Sequence, residues 1–223
     1  RALLDRVKAS GAKVLSSATT VAEAVWLEQR GCDAIIAQGA EAGGHRGNFL
    51  SDDMATQIGT FALVPQVVDA VTVPVIAAGG IADARGMAAA FALGAAAAQI
   101  GTAYLYTPEA RIAAPHREAL RSERAGETAL TNVFTGRPAR GIVNRIMREA
   151  GPLTDDAPAF PLAGGALAPL RAASEKTGSG DFMSLWAGQA ARLGRREMGA
   201  AELTRTLAED ALARLGRHPV TKA

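Results

Sequence analysis

The sequence has little of what marks several specialised classes of protein. Its 223 residues include one cysteine, so an intrachain disulfide is excluded. Lysine and arginine number 24 against 22 acidic residues, so no excess of one charge points to nucleic acid. No apolar run approaches the ~20 residues of a membrane span, and no secretory leader opens the chain. These absences predict a cytoplasmic protein with neither nucleic-acid nor membrane partners.

Metal-ligand patterns and the Rossmann fingerprint are also missing. The three histidines stand in no cluster with ligand spacing, so no metal site is predicted. No G-x-G-x-x-G follows a strand pattern, which argues against a Rossmann dinucleotide site. The single Cys32 borders an apolar strand and is interpreted as a small buried core residue rather than a reactive thiol.

What the sequence does contain is an alternation of short apolar strands and helices. Strands are predicted at residues 13–17, 33–37, 73–77 and 97–100. Helices are predicted at 1–10, 20–30, 54–71 and 83–93, the third interrupted or reset near Pro65. Thr20 with Glu23 forms a capping-box pattern, and Asp83 is the predicted N-cap of the last of these helices. Apolar strands separated by helices are typical of a parallel sheet covered by helices.

The loops after these strands favour a (β/α)₈ barrel of the TIM type over a doubly wound sheet. Successive strands all end in glycine-rich or polar loops, which is the barrel arrangement. Such barrels have eight strands and about 250 residues, whereas four strands are found here. The chain also opens at Arg1 without a methionine. We therefore expect the second half of a barrel, from a longer protein whose N-terminal half is missing from this chain.

Residues 108–223 differ from the barrel half at 1–107 and are expected to form a C-terminal helical cap. Prolines divide this stretch, and amphipathic helices are predicted at Arg140–Glu149 and Glu202–Leu215. His116 and His218 lie in segments rich in charge and proline and are interpreted as polar loop residues. Trp186 is interpreted as a core aromatic on a helix.

Two glycine elements at strand ends indicate a phosphate site. Gly79-Gly80 precedes a helix, where backbone N–H groups can approach an anion without Cβ obstruction. Gly101-Thr102 follows the next strand and adds an N–H group and a hydroxyl. Each element alone could be a tight turn, but two on neighbouring strands favour a phosphorylated cofactor or substrate.

His45 is the candidate catalytic residue. It follows two glycines at the end of a barrel strand, and imidazole can exchange a proton near neutral pH. A loop histidine without a chemical role is the alternative. Glu41 could orient the loop or be a solvated carboxylate, and Arg46 is interpreted as a surface residue.

Several motifs together resemble a known family, the flavin-dependent nitronate monooxygenases, formerly called 2-nitropropane dioxygenases. The elements that carry the resemblance are residues 13–20, 38–47, 74–83, 99–102, 131–141 and 179–189. The glycine-histidine element 38–47 is fairly specific, whereas Ala-Gly-Gly-Ile at 78–81 recurs in many flavin barrels. The resemblance covers nearly the whole chain.

The resemblance implies an FMN enzyme that oxidises alkyl nitronates, such as propionate 3-nitronate, with O₂ to a carbonyl compound and nitrite. His45 would face the reacting carbon, and Trp186 and Gln189 would lie near the active site. It would act as a base on a neutral nitroalkane, or as an electrostatic partner of a nitronate. The positions implied to bind FMN are Gln38, Gly43, Gly44, Gly79, Gly80, Gln99, Ile100, Gly101 and Thr102.

The first four strands of the family's barrel have no counterpart in this sequence. A lone half-barrel would expose strand edges near Val14 and Ile100, so either the remaining chain completes it or it pairs with a copy of itself as a homodimer. Two other functions are carried forward. One is a flavin-dependent enoyl-acyl-carrier-protein reductase using NAD(P)H, and the other is a non-catalytic module that binds a phosphorylated ligand.

Overall fold

The computed structural model describes residues 2–216, which contain seven strands and nine α-helices. The strands are β1 Leu15–Ala18, β2 Ala34–Gln38, β3 Gly44–His45, β4 Val75–Ala78, β5 Ala97–Gln99, β6 Thr128–Thr131 and β7 Ala139–Ile142. The helices are α1 Ala2–Ala9, α2 Val21–Gln29, α3 Thr60–Ala70, α4 Ala84–Ala92, α5 Ala114–Arg121, α6 Arg145–Glu149, α7 Ala163–Ala166, α8 Ala168–Thr177 and α9 Ala200–Arg214. His218 lies outside the described residues.

The chain divides into two units by its internal contacts. The first takes the described residues of Arg1–Ala40, Gly47–Ile100 and Glu209–Ala223. The second takes Glu41–Arg46 and Gly101–Ala208. No helix within residues 2–216 is both long and apolar enough to cross a membrane.

The first unit is built on a four-stranded parallel sheet in the order β1-β2-β4-β5. All four predicted strands are present. Their inward side chains and those of α3 form one core, in which Ile35, Leu63, Val64 and Val67 are fully buried. Cys32 is buried in the same core, and burial raises the pKa of its thiol. The prediction that Cys32 is a core residue is therefore confirmed.

The helix starts in the first unit follow the predicted capping residues. Thr20 Oγ1 accepts the N–H of Glu23 at 3.2 Å, and the Asp83 carboxylate accepts the N–H of Arg85 at 2.9 Å. One prediction was wrong. The helix expected over 54–71 is a 3₁₀ turn at Met54–Thr56 followed by α3, which begins at Thr60 and includes Pro65. The interruption therefore lies before the helix and not at Pro65.

The second unit contains a sheet that the sequence did not predict. Strands β3, β7 and β6 form an antiparallel sheet in that order. The helix expected over Arg140–Glu149 was wrong, because Arg140 lies in β7 and α6 begins at Arg145 after the N-cap Asn144. The helix predicted at Glu202–Leu215 corresponds to α9.

Two apolar clusters support this second unit. One is centred on Leu120, Ile142 and Leu185, each at most 1% exposed. The other contains Val133, Phe134, Ile146 and Met147, with Trp186 packed against it. The first cluster includes Ile142 of β7, and the second includes Val133 and Phe134 of the turn between β6 and β7.

Candidate active site

Three neighbouring strands of the first unit bring predicted cofactor positions to one level of the sheet. Gln38, the last residue of β2, is in register with Ala78 of β4, and Ala78 is in register with Gln99 of β5. Gly79 and Gly80 follow Ala78 directly. Because these are the carboxyl ends of parallel strands, the arrangement is the usual ligand-binding edge of such a sheet.

The side chain of Gln38 is oriented by the loop that follows it. Its Oε1 accepts the N–H of Gly47 at 2.7 Å. A Cβ at Gly47 would lie 2.8 Å from Ser17 Cβ, so glycine permits this close return of the chain. This hydrogen bond fixes the orientation of the Gln38 amide at the end of β2.

The buried carboxylate of Glu23 fixes the next part of that loop. It accepts the N–H of Thr19 at 2.7 Å, the Thr19 hydroxyl at 2.8 Å, and the N–H groups of Phe49 and Leu50 at 2.6 and 3.1 Å. Burial alone would raise the pKa of Glu23, but these donors outweigh it and lower the pKa. The carboxylate thus takes its partners from Thr19 and from a loop far along the chain, beyond the local capping role that its spacing from Thr20 suggested.

The Gly79-Gly80 loop has the backbone conformation that glycine permits, with φ of +107° and +69°. Thr60 Oγ1 donates to the carbonyl of Gly79 at 3.0 Å. The second and third amides of α4, those of Arg85 and Gly86, donate to Asp83. The phosphate site expected at this loop and helix start stays a prediction.

In the second unit, Gly188 brings two of the predicted positions together. Its N–H donates to Thr102 Oγ1 at 2.9 Å. A Cβ at Gly43 would lie 2.5 Å from the same nitrogen, so Gly43 is required for this packing. By contrast, a Cβ at Gly44 or Gly101 would meet nothing within 4 Å. These two glycines therefore leave open space above the backbone.

His45 lies in β3, in register with Ala139 of β7. Its Nε2 is 2.9 Å from Thr135 Oγ1. The Thr135 hydroxyl donates its proton to the carbonyl of Arg137 at 3.1 Å, in the turn between β6 and β7, so toward His45 its oxygen acts as the acceptor. The imidazole is therefore held by a side chain 90 positions along the sequence.

Two aromatic rings flank His45 within the second unit. The centroid of Trp186 is 5.8 Å from that of the imidazole, and the centroid of Phe160 is 6.2 Å away in an edge-to-face arrangement. Phe134 supports Trp186 from its other side at 5.4 Å. Although His45 keeps an exposed face, this partial burial lowers its pKa, and the positive charge of Arg137 lowers it further. At neutral pH the imidazole is uncharged and can accept a proton.

His116 and Trp186 both differ from their sequence interpretations. His116 lies in α5 and is 8% exposed, so it is not a polar loop residue. Its Nε2–H donates to the carbonyl of Trp186 at 3.0 Å, and burial lowers its pKa. Trp186 lies in a β-bridge with Gly141, not on a helix, and it packs between Phe134 and His45.

Two arginines are buried where the sequence gave no indication of it. Arg46, interpreted as a surface residue, is 1% exposed, which overturns that interpretation. Arg140 of β7 is 7% exposed and pairs in register with Gly44. Burial lowers the pKa of Arg140, and the negative charge of Glu41 opposes that shift.

The predicted site residues thus fall into two sets, each within one unit. Gln38, Gly79, Gly80, Gln99 and Ile100 belong to the first unit. Gly43, Gly44, His45, Gly101 and Thr102 belong to the second. The sequence assigned no role to Thr135, Arg137, Phe160 or Gly188, although three of them lie inside motifs that carried the resemblance.

The chain is similar to known proteins of one family along most of its length. The sequence model described as nitronate monooxygenase matches residues 1–210. The chain belongs to the nitronate monooxygenase family. It is 47% identical over 205 residues to the nitronate monooxygenase of Pseudomonas aeruginosa, covering 92% of this chain and 58% of that protein. It is 41% identical over 192 residues to a probable nitronate monooxygenase of Staphylococcus aureus, covering 86% of this chain and 54% of that protein. The chain therefore spans little more than half the length of these curated relatives.

Solved structures place the fold in the same family. A nitroalkane oxidase from Streptomyces ansochromogenes matches with a TM-score of 0.88 at 45% identity, over 96% of this chain and 61% of that one. FabK from Thermotoga maritima matches with a TM-score of 0.74 at 29% identity, over 95% of this chain and 64% of that one. The predicted fold class, part of a (β/α)₈ barrel, is confirmed by these neighbours and by the parallel sheet of the first unit.

Proposed function

We propose that this protein oxidises alkyl nitronates with O₂, giving a carbonyl compound and nitrite, and that it uses FMN. Propionate 3-nitronate represents the substrate class, and disposal of toxic nitroalkanes is the corresponding role. The observation that carries the proposal is the setting of His45. It is an uncharged imidazole with an exposed face, held by Thr135 and flanked by Trp186 and Phe160. Membership of the family supports the same chemistry.

The residues present suit a flavin mononucleotide. In the first unit, Gln38 lies at the end of β2 with its amide oriented by Gly47, and Gly79 and Gly80 have the positive φ angles that glycine adopts without strain. In the second unit, Gly101 leaves open space beside the hydroxyl of Thr102. We assign Gln38 and Gly44 to the ring system. Gly79, Gly80, Gln99, Ile100, Gly101 and Thr102 are assigned to the phosphate end. Bound FMN would supply the redox chemistry.

Gly43 has a different part in this proposal. Its close approach to Gly188 shapes the loop before His45, so we assign it to positioning as well as to the flavin contact that the resemblance implies. A side chain there would push residues 187–188 away. Gly43 therefore lets the loop before His45 pack against Gly188, which is hydrogen-bonded to Thr102.

His45 would face the reacting carbon and would accept its proton. With a neutral nitroalkane, the imidazole removes the α-proton and becomes positively charged beside the nitronate it has made. With a nitronate supplied directly, no proton need be removed. Arg137, which is close enough to His45 to lower its pKa, adds positive charge for the anion.

The alternative function is a flavin-dependent enoyl-acyl-carrier-protein reductase. The structural similarity to FabK at a TM-score of 0.74 keeps it open. The nitroalkane oxidase is the more similar of the two structures, at a TM-score of 0.88. The reductase would further require a site for a nicotinamide donor.

The test is a visible absorbance spectrum of the purified protein, loaded with FMN and mixed anaerobically with propionate 3-nitronate. Loss of the oxidised flavin bands with nitronate alone, followed by nitrite release on admitting O₂, is the expected result. Bands that respond to NAD(P)H but not to nitronate would favour the reductase. Absence of flavin binding would favour the third function, a non-catalytic module that binds a phosphorylated ligand.

The His45→Asn variant tests the assigned role. Turnover of a neutral nitroalkane should fall by about 100-fold or more, because a positioned general base contributes on that order. Turnover of the preformed nitronate should fall less. Equal losses on both substrates would mean that His45 does not act as the base.

A further inference from the structure

We infer that Phe160 and Trp186, together called the aromatic wall, select the substrate by the length of its alkyl chain, with Phe160 as the specificity-determining residue. This inference rests on the proposed function, since it concerns the substrate that His45 would hold. The two rings differ in exposure, because Trp186 is half-buried and Phe160 is exposed. Phe160 is 55% exposed, whereas Trp186 packs against the apolar cluster around Phe134.

The position of Phe160 is set by a tight contact with the turn between β6 and β7. A Cβ at Gly136 would lie 2.2 Å from the carbonyl oxygen of Pro158 and 2.5 Å from the nitrogen of Phe160. The preceding residue of that turn, Thr135, is the hydrogen-bond partner of His45. The base is therefore hydrogen-bonded to one residue of this turn, and the backbone of Phe160 packs against the next.

The segment that carries Phe160 is anchored a second time. Asn132 Nδ2 donates to the carbonyl of Thr154 at 2.8 Å, and Asn132 Oδ1 accepts the N–H of Thr154 at 3.1 Å. The N–H of Gly136 donates back to the carbonyl of Asn132 at 2.7 Å. The segment is therefore held at both points, and in this arrangement the ring of Phe160 lies edge-to-face with His45 at a centroid distance of 6.2 Å.

The chemistry of this surface determines what it can recognise. A nitronate whose anionic head lies at His45 extends its alkyl chain by a few carbon atoms, which reaches a ring 6.2 Å away. A phenyl ring gains free energy by removing methylene groups from water and offers no partner to a polar tail. The aromatic wall therefore favours longer unsubstituted alkyl nitronates over shorter ones.

The expected size of the preference follows from the transfer of methylene groups out of water. Each methylene covered by the ring should improve kcat/KM by up to about fourfold, until the chain extends past Phe160. The preference is a slope of log kcat/KM against chain length. It is separate from the overall rate, which depends on His45.

The experiment compares the wild-type protein, Phe160→Ala, Phe160→Tyr and Leu162→Ala, all loaded with FMN. Leu162 is the matched control, because it is an apolar residue of the same segment with 68% of its surface exposed. Turnover is measured with nitronates from nitroethane to 1-nitropentane. Binding is measured by calorimetry with acetate to pentanoate, unreactive carboxylates whose planar anionic head resembles a nitronate.

The wild type, Phe160→Tyr and Leu162→Ala should show the chain-length slope in both turnover and binding, and Phe160→Ala should lose most of it. An unchanged slope in Phe160→Ala, or no slope in the wild type, would overturn the inference. Absence of turnover with every nitronate would refute the proposed function instead. The carboxylate binding series would in that case still decide whether Phe160 selects alkyl chains.

Discussion

At the scale of single residues, the charge state of His45 links the site's electrostatics to its chemistry. Partial burial first, and then the positive charge of Arg137, lower the pKa of His45 below its ordinary value of about 6.5. A base must be unprotonated to act, so the base form persists to a lower pH than for free histidine. Activity on neutral nitroalkanes should therefore be lost only as the pH falls through this lowered pKa.

Removing the charge of Arg137 should shift that profile. In Arg137→Gln the pKa of His45 should rise, so the acidic limb of kcat/KM for a neutral nitroalkane should move to higher pH. Arg171→Gln, which removes a positive charge from the exposed surface of α8 in the same unit, is the control and should leave the limb in place. An unchanged acidic limb in Arg137→Gln would mean that Arg137 does not affect the pKa of His45.

Glu23 provides a second prediction, this time on stability. Its carboxylate accepts four hydrogen bonds while 1% exposed, and Gln at this position would turn an NH₂ group toward N–H donors. Glu23→Gln should lower the free energy of unfolding by about 2 kcal/mol. Urea denaturation measures the loss, with Glu202→Gln on the exposed face of α9 as the control.

The pH dependence of that loss has a definite sign. The pKa of Glu23 is lowered in the folded protein, so its contribution is complete above the unfolded pKa and disappears as the pH falls through the folded pKa. The difference between wild type and Glu23→Gln should therefore shrink on acidification. A difference that is constant with pH would mean that the charge of Glu23 contributes nothing.

These residues also show what the sequence could not reveal. The spacing of Thr20 and Glu23 predicted the helix start correctly, because capping is local. It could not predict that the carboxylate also binds residues 26 and 27 positions away. Likewise, the glycine-histidine loop identified His45, but its partner Thr135 comes from a turn 90 positions distant. Side-chain partners at such separations follow from the tertiary fold alone.

At the scale of elements, the turn between β6 and β7 depends on a glycine for two separate reasons. Gly136 has φ of +80°, and a Cβ there would overlap the backbone of Pro158 and Phe160. Gly178 at the end of α8 has φ of +68°, but a Cβ there would meet nothing within 4 Å. The pair separates backbone strain from steric overlap.

Gly178→Ala should cost about 1 kcal/mol, the usual penalty of a left-handed conformation for a residue with a Cβ. Gly136→Ala should cost at least about 2 kcal/mol more, because the overlap is with backbone atoms that cannot rotate away. Denaturant unfolding of both variants provides the measurement. Equal losses would show that residues 158–160 move aside freely.

The strands were predicted unevenly for a related physical reason. Strands β2 and β4 of the first unit consist almost entirely of apolar residues and each follows a clear helix, so their pattern is visible in a short window. Strand β7 contains Arg140 and Gly141, and its apolar residues continue into α6, which imitates a helical pattern. Its pairing with β3 joins residues about 95 positions apart, and no local pattern encodes that contact.

At the scale of the whole molecule, the proposed cofactor should stabilise the folded chain. A ligand that binds only the native state raises its stability with concentration, by about 2.7 kcal/mol at 100 times Kd. FMN should therefore raise the melting temperature in a concentration-dependent way. Riboflavin, which lacks the phosphate, should raise it much less if the Gly79-Gly80 loop and Thr102 hold the phosphate end.

Comparing FMN with riboflavin also distinguishes binding of the flavin ring from binding of the phosphate. Equal shifts with FMN and riboflavin would remove the phosphate role from those residues while keeping a flavin site. No shift with either compound would contradict the cofactor proposal for this chain. The match covers 58% of the Pseudomonas aeruginosa relative, so the result applies to this chain and not to the whole of that protein.

The turn at Thr135 and Gly136 has a consequence for laboratory evolution of this protein. Thr135 holds His45, and Gly136 holds the backbone of Phe160, so a change in either residue disturbs the base and the exposed ring together. Phe160 itself can be varied without touching the turn. Libraries intended to broaden the substrate range should therefore randomise position 160 and keep 135 and 136 fixed.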